Sequence, residues 1–405
     1  MGYKRNAIKG ISWITLLRGL TRIFTFIRLA VLGRLLTPTQ FGFFGIASLL
    51  LSFLEILTET GINVFLIQEK SQIKEYINSA WVVSILRGTI LALIIYLSAP
   101  FIVIFFKATE SYPIVALIAV VPFIRGFINP AIVSYQKELF FNKEFRLRTV
   151  LFFVDVLCSI IAGFITRNAI SFDVGLIVSA IVEVILSYVL IPLKPQLQFE
   201  YQKVIHVIHK GWWVTITGIF SYFADNGDNI TVGKILGAAP LGIYQVAYKF
   251  STLPISEITN VVNMVVFPVY AKFSDDKERL WKAFVKVTIL SSLGAITLGS
   301  LIFFLAKPLI LLFMGGQWGL AIPAIQILSI YGILRTIFGN FAPLFLAVQK
   351  QNYVAQTTFI RVGALIIAVV PLVLHFGMVG AGIAMLLSIL AEIPVILYLL
   401  IKIFR

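Results

Sequence analysis

LGRLLTPTQFGFFGIA at residues 32–47 lines up with VGKILGAAPLGIYQVA at residues 232–247, an offset of 200. Gly33, Leu36, Gly42 and Ala47 recur as Gly233, Leu236, Gly242 and Ala247, while Arg34 becomes Lys234 and Phe44 becomes Tyr244. The same offset pairs Trp81 with Trp281, and Pro113 and Arg125 recur as Pro323 and Arg335 at an offset of 210. So many matches at a near-constant offset point to duplication.

What was duplicated follows from composition. The chain has 405 residues, 59% of them hydrophobic and 13% charged, where a soluble domain carries about a quarter charged. That balance excludes a soluble enzyme, and it excludes disorder, which needs few apolar residues and much charge. A helix crossing a bilayer needs ~20 apolar residues. Spans are expected near 10–32, 41–66, 78–106, 112–135, 149–166, 172–192, 211–233, 241–270, 283–306, 317–348, 353–374 and 379–402. An even number of spans between equivalent points preserves orientation, so the halves are parallel repeats. The expected fold is an all-α polytopic membrane protein of about twelve transmembrane helices. They form two parallel six-helix bundles, 1–200 and 201–405, around a central cavity.

Basic residues set the orientation. With the N-terminus inside, the outer connections carry only Arg34, Lys107, Arg167, Lys234 and Lys307, and the inner ones hold most of the remaining Lys and Arg. Both termini are therefore expected in the cytoplasm. This asymmetry also accounts for the net charge of +15. No basic segment with interleaved stacking aromatics suggests nucleic-acid binding. Cys158 is alone, so no internal disulfide forms, and His206 and His209 lack further ligands nearby, so no metal site is expected. The first apolar stretch is long and carries arginines, unlike the short core of a cleaved signal peptide. Connections 67–77, 136–148 and 272–284 mix charge with aromatics and read as interfacial helices.

Arg18, Arg22, Arg28, Arg87, Arg125, Lys249, Lys286, Arg335 and Arg361 fall within spans. Each costs several kcal/mol if it faces lipid, so they should face water or a partner. On the first span Thr15, Arg18, Thr21, Arg22, Thr25 and Arg28 share an arc of about 140° at ~100° per residue. Such a cationic, hydroxylated face suits phosphate or pyrophosphate, which guanidinium groups bind through paired hydrogen bonds. Arg18 and Arg28, near the span's ends, can alternatively snorkel. The candidate anion-binding set is Arg18, Arg22, Arg28, Arg125 and Arg335.

The seventh span carries Thr217, Ser221, Asp225, Asp228 and Asn229 on one arc, with Asp228 at the position of Arg28 in the first repeat. Asp225 and Asp228 either take a coupling ion, H⁺ or Na⁺, or only neutralise interior arginines. Glu55 and Glu59 either offset Arg18 and Arg22 or carry protons. Arg87, Lys286, Asp155, Glu183, Glu257 and Glu392 are single charges without an evident direction. Neither a Ser-His-Asp arrangement nor a phosphate loop is present, and the outer connections are short, so an enzyme is not expected. No cofactor beyond a coupling ion is expected either.

The stretch VLGRLLTPTQFGFFGIASLLLSFLEILTETGINVFLIQ (31–68) resembles the first-to-second-helix region of the polysaccharide transporter family. QKELFF (136–141) is similar to that family's segment after the fourth helix. The family, with its Wzx-type flippases, sits in a superfamily with multidrug antiporters (a MATE-like fold) and the flippase for the peptidoglycan lipid precursor. The resemblance implies a bacterial inner-membrane flippase for undecaprenyl-pyrophosphate-linked oligosaccharide working by alternating access. It also implies a cationic lumen, contacts with membrane lipids and a polysaccharide polymerase as working partner. Related sodium sites draw on an acidic residue in the eleventh helix, and 353–374 contains none. Alternatives are a multidrug cation antiporter of the same fold, disfavoured by the intramembrane arginines, and a membrane polymerase or ligase, disfavoured by the short outer connections.

Overall fold

A computed structural model describes residues 2–57, 76–138, 140–198 and 201–404. The side chains of 2–11, 201–217 and several residues in 260–268 lie outside that description, as does Glu59 entirely. The described elements are helical and follow the expected spans. The first bundle comprises α1 (Gly2–Leu35), α2 (Pro38–Leu57), α3 (Ile77–Phe105) and the short helices α4 (Tyr112–Leu117), α5 (Val120–Arg125) and α6 (Ser134–Lys137), followed by α7 (Phe141–Thr166) and α8 (Ile170–Leu190). Then come α9 (Tyr201–Leu236), α10 (Ala238–Lys272), α11 (Lys277–Phe313), α12 (Ala321–Gly339), α13 (Phe341–Ala347) and α14 (Gln351–Phe404). The chain groups into two compact units, Met1–Tyr222 and Phe223–Arg405.

Seven of the described helices are long and apolar enough to cross a membrane, or eight if one bent pair counts as a span. α1, α9 and α10 are as long, at 34, 36 and 35 residues, and carry charge along their length. α14 runs for 54 residues, about 80 Å of helix, far more than one crossing. Gly377, at φ +60° and ψ −139°, breaks it into the eleventh and twelfth spans. Phe101, Phe304, Phe359 and Ile367 are each more than 70% exposed. Apolar side chains displayed on this scale require hydrocarbon as solvent.

Three details depart from the expected pattern. The fourth span is not one helix: Thr109–Arg125 and Pro130–Lys137 meet at 77°. Pro130 cannot donate to a continuing helix, and buried Asn129 caps the new turn by accepting from the Ala131 N–H at 3.0 Å. Residues 141–148 are the first turns of α7 rather than a separate interfacial helix. Likewise Lys277–Phe284 opens α11, where the Asp276 side chain accepts from the Arg279 N–H at 3.0 Å.

The TPTQ motif has a local role. Gln40 N donates to Thr37 Oγ1 at 3.3 Å and Thr37 N donates to Gln40 Oε1 at 3.0 Å. This is a capping box, with Pro38 at the first helical position.

Small residues then let helices close on one another. A Cβ at Gly163 of α7 would collide with Leu32 of α1, and one at Gly175 of α8 would collide with Ser159 and Asp155 of α7. Gly88 of α3 is equally tight, its Cβ position 2.5 Å from the Pro122 carbonyl and 3.0 Å from Gly126 Cα. Each contact stands within two turns of a charged residue that it delivers inward. Gly175→Ala should therefore cost about 1–3 kcal/mol by overpacking. Gly19→Ala, with nothing within 4 Å of the new Cβ, should gain up to ~1 kcal/mol from helix propensity. Thermal unfolding of the detergent-solubilised protein should move the two midpoints in opposite directions; equal shifts would contradict the packing argument.

Candidate functional site

Helix α1 carries Arg18, Arg22 and Arg28, all half-buried. The hydroxyls between them turn inward: Thr21 Oγ1 donates to the Arg18 carbonyl at 2.9 Å and Thr25 Oγ1 to the Thr21 carbonyl at 2.8 Å. Arg28 is tied down. Its Nη1 lies 2.7 Å from Asp155 Oδ2, with the two side chains 16% and 10% exposed. Ser159 Oγ donates to the other Asp155 oxygen at 3.3 Å, and the guanidinium sits 5.7 Å from the centroid of the Phe172 ring. The Gly163 contact with Leu32, one turn beyond Arg28, brings α1 and α7 close enough for this pair.

A second cluster in the same bundle is more open. Arg125 Nη1 donates to Glu55 Oε1 at 3.2 Å, and Arg125 Nε stands 3.9 Å from Glu183 Oε2. Arg148 Nη1 donates to Glu183 Oε1 at 3.2 Å, and Arg87 Nη2 to the Glu55 carbonyl at 2.8 Å. The helices meet at Gly88 and Gly126, each one residue past an arginine. Arg125 and Arg148 remain 38% and 44% exposed while Glu183 is 12% exposed. These groups line a cavity of about 540 Å³, with Ser52, Ser84 and Tyr135 among its other walls.

The second bundle has its own polar centre. Arg335 Nη2 meets Asp225 Oδ1 at 3.1 Å, and its Nη1 donates to Tyr248 Oη at 3.2 Å and Tyr331 Oη at 3.0 Å. The Arg335 guanidinium also lies 5.9 Å from the Tyr331 ring centroid. Asp228 is fully buried. Its Oδ1 accepts from the Asn229 N–H at 2.8 Å and from Asn229 Nδ2 at 3.0 Å, and its Oδ2 from Tyr244 Oη at 2.7 Å. The Phe44-to-Tyr244 change between repeats thus adds the hydroxyl that Asp228 uses. Arg361 Nη1 pairs with Glu392 Oε2 at 3.7 Å beside a cavity of about 110 Å³.

The structure therefore places Arg28 against Asp155, Arg125 against Glu55 and Glu183, and Arg335 against Asp225. The acidic partners Asp155 and Glu183, and the tyrosines 244, 248 and 331, do not follow from reading the sequence span by span. Periodicity tells which face a residue takes, not which distant helix meets it. One signal was present. Ser-x-x-x-Glu occurs at 179–183 and 388–392, and Gln-Lys followed eleven residues on by Arg at 136–148 and 349–361.

The model of a family described as polysaccharide biosynthesis protein matches residues 31–323. A membrane protein in the cps region of Klebsiella pneumoniae is 26% identical over 96% of this chain and 80% of its own. Lipopolysaccharide biosynthesis protein WzxC of Escherichia coli (strain K12) is 23% identical over 91% of this chain and 76% of its own. Among solved structures, the lipid II flippase MurJ in an inward closed conformation superposes with a TM-score of 0.79 at 16% identity, covering 96% of this chain and 88% of its own. That likeness shows the all-helical polytopic membrane fold.

The closed and open clusters should respond differently to mutation. Asp155→Asn strands the enclosed Arg28 and should cost about 3–5 kcal/mol. Joint replacement of Arg28 and Asp155 by Leu should recover much of that stability. Thermal unfolding checks both, and an Asp155→Asn variant as stable as the parent would contradict a structural role for the pair.

Proposed function

The chain belongs to the polysaccharide biosynthesis protein family, and from that premise we propose that it is a flippase for oligosaccharide repeat units linked to undecaprenyl pyrophosphate. It carries them from the cytoplasmic to the periplasmic leaflet of a bacterial inner membrane by alternating access, with both termini cytoplasmic. It is a transporter and performs no covalent step.

The observation that carries this reading is the set of arginines kept at bilayer depth in a fold shared with a lipid II flippase. Keeping them there is expensive unless each meets water, an acid or a charged ligand, and an anionic headgroup is a ligand that such a set suits. Arg28 is enclosed with Asp155; in this reading the half-buried Arg18 and Arg22 and the more open Arg125 of the first bundle receive the pyrophosphate. The lipid tail stays in hydrocarbon and the sugars take the watered interior.

Transport needs a difference in ligand affinity between two states. Asp225 and Asp228 supply it in this reading, through H⁺ or Na⁺. Asp225 is half-exposed and held by Arg335 alone among the partners described above, whereas Asp228 is enclosed by Asn229 and Tyr244. A polysaccharide polymerase on the far side consumes the product.

Leaflet-resolved quantification of the lipid-linked repeat unit in cells tests the proposal. Loss of the protein should leave complete units on the cytoplasmic side, and restoring the gene should relieve this. The double variant Arg18→Ala/Arg22→Ala should behave as the loss while remaining folded; normal transport by it would refute the anion role of α1.

A further inference from the structure

The two bundles contain the same charged scaffold and have filled it differently. Arg125, Arg148 and Glu183 of the first recur as Arg335, Arg361 and Glu392 of the second, at offsets of 210, 213 and 209. The buried asparagines at the helix breaks, Asn129 and Asn340, recur at 211. In both bundles the Arg–Glu pair joins the last two spans, Arg148 to Glu183 at 3.2 Å and Arg361 to Glu392 at 3.7 Å. That much is shared architecture.

The rest is not shared. At the offset of 200 that governs this part of the repeat, Glu55 becomes Ile255 and Arg87 becomes Val287. Ile255 is fully buried and packs onto Gly332, beside Tyr331. Glu144 becomes Thr357 at the offset of 213. The second cavity has shrunk to about 110 Å³, while the first remains about 540 Å³. One copy of the scaffold is packed with apolar side chains. The other holds a charged cavity of the size that takes small ligands.

We propose that the cavity of the first bundle is a phosphoryl-binding subsite. Arg87, Arg125 and Arg148 reach it from α3, α5 and α7. Their guanidinium groups suit paired hydrogen bonds to phosphate oxygens. Glu183, the least exposed acid, touches both Arg125 and Arg148 and is a positioning residue. Glu55, 36% exposed, occupies Arg125 at 3.2 Å and is the resident competitor that an arriving phosphoryl group displaces. The ligand chemistry is that of a pyrophosphate, whether on an isoprenyl lipid or free in solution. The proposal rests on the flippase reading only for the identity of that group in the cell.

Binding to the purified full-length chain in nanodiscs tests it. Inorganic pyrophosphate is titrated calorimetrically, and discs doped with an isoprenyl pyrophosphate are used in competition. Arg125→Ala and Arg148→Ala should each weaken binding about tenfold or more, the loss expected for one charge-assisted hydrogen bond. Glu55→Gln should tighten it several-fold, a change that a purely structural ion pair would not produce. Arg148→Lys, which keeps the pair with Glu183, guards against misfolding and should bind between the two. Competition only by the doped discs assigns the source to the lipid; saturation by inorganic pyrophosphate alone assigns it to solution. No binding of either probe, unchanged binding by both Ala variants, or weaker binding by Glu55→Gln overturns the subsite. None of these readouts depends on transport, so failure of the leaflet assay and failure of this subsite are separable.

Discussion

A guanidinium group at bilayer depth must be paired, watered or withdrawn, because facing lipid costs several kcal/mol. Pairing is not simply stabilising: removing two charges from water costs about as much as their attraction returns. What pairing requires is another helix carrying a carboxylate at hydrogen-bond distance, and therefore helices packed backbone to backbone. The first bundle meets that demand with glycine. Gly163 admits Leu32 and so brings Arg28 to Asp155, while Gly88 and Gly126 bring Arg87 and Arg125 to one cavity. In a membrane, close packing of small residues also replaces the hydrophobic drive that is absent between helices in lipid. The same contacts thus hold the bundle and aim its charges.

The degree of enclosure separates two kinds of arginine. Arg28 donates at 2.7 Å to a carboxylate that is 10% exposed, and its guanidinium carbon lies 5.7 Å from the centroid of the Phe172 ring. Opening that pair would leave two charges in low dielectric, so it behaves as a fixed strut. Arg125 and Arg148 are more than a third exposed and share their acids at 3.2–3.9 Å. Both open onto the cavity rather than lying enclosed, so exchanging one carboxylate for a phosphate oxygen there carries a smaller desolvation cost than opening the Arg28 pair.

Much of the fold was legible because hydropathy, charge asymmetry and repetition are properties of local windows. The offset of 200 relates equivalent helices of the two halves, and Arg125 and Arg335 each stand against an acid, Glu55 and Asp225. The capping box at Thr37–Gln40 is made within four adjacent residues, Thr-Pro-Thr-Gln, so it too belongs to a local window. The break at Asn129–Pro130 was less legible, since apolar residues continue on both sides of it. The ion pairs were illegible for a different reason. Arg28 and Asp155 lie far apart in sequence, and nothing local specifies that α1 meets α7 at Gly163. Repeat matching could have recovered Glu183 and Glu392, but the offset rises from 210 at Arg335 through 211 at Asn340 to 213 at Arg361 and falls to 209 at Glu392.

That drift has a consequence for how the two halves diverged. An inserted residue between Arg335 and Asn340, relative to Arg125 and Asn129, turns the following backbone by ~100°. The Arg–Glu pair is nonetheless kept, with Arg361 and Glu392 3.7 Å apart beyond that point. The residues that did not survive, at the positions of Glu55 and Arg87, come from the second and third spans. There the offset never changed, so their replacement by Ile255 and Val287 reflects substitution within an intact register. A buried Glu–Arg scaffold with its outer charges replaced by Ile and Val is what packing favours when a site has no ligand to accommodate. Retention of both outer charges around an open cavity in the first bundle is what packing alone would remove.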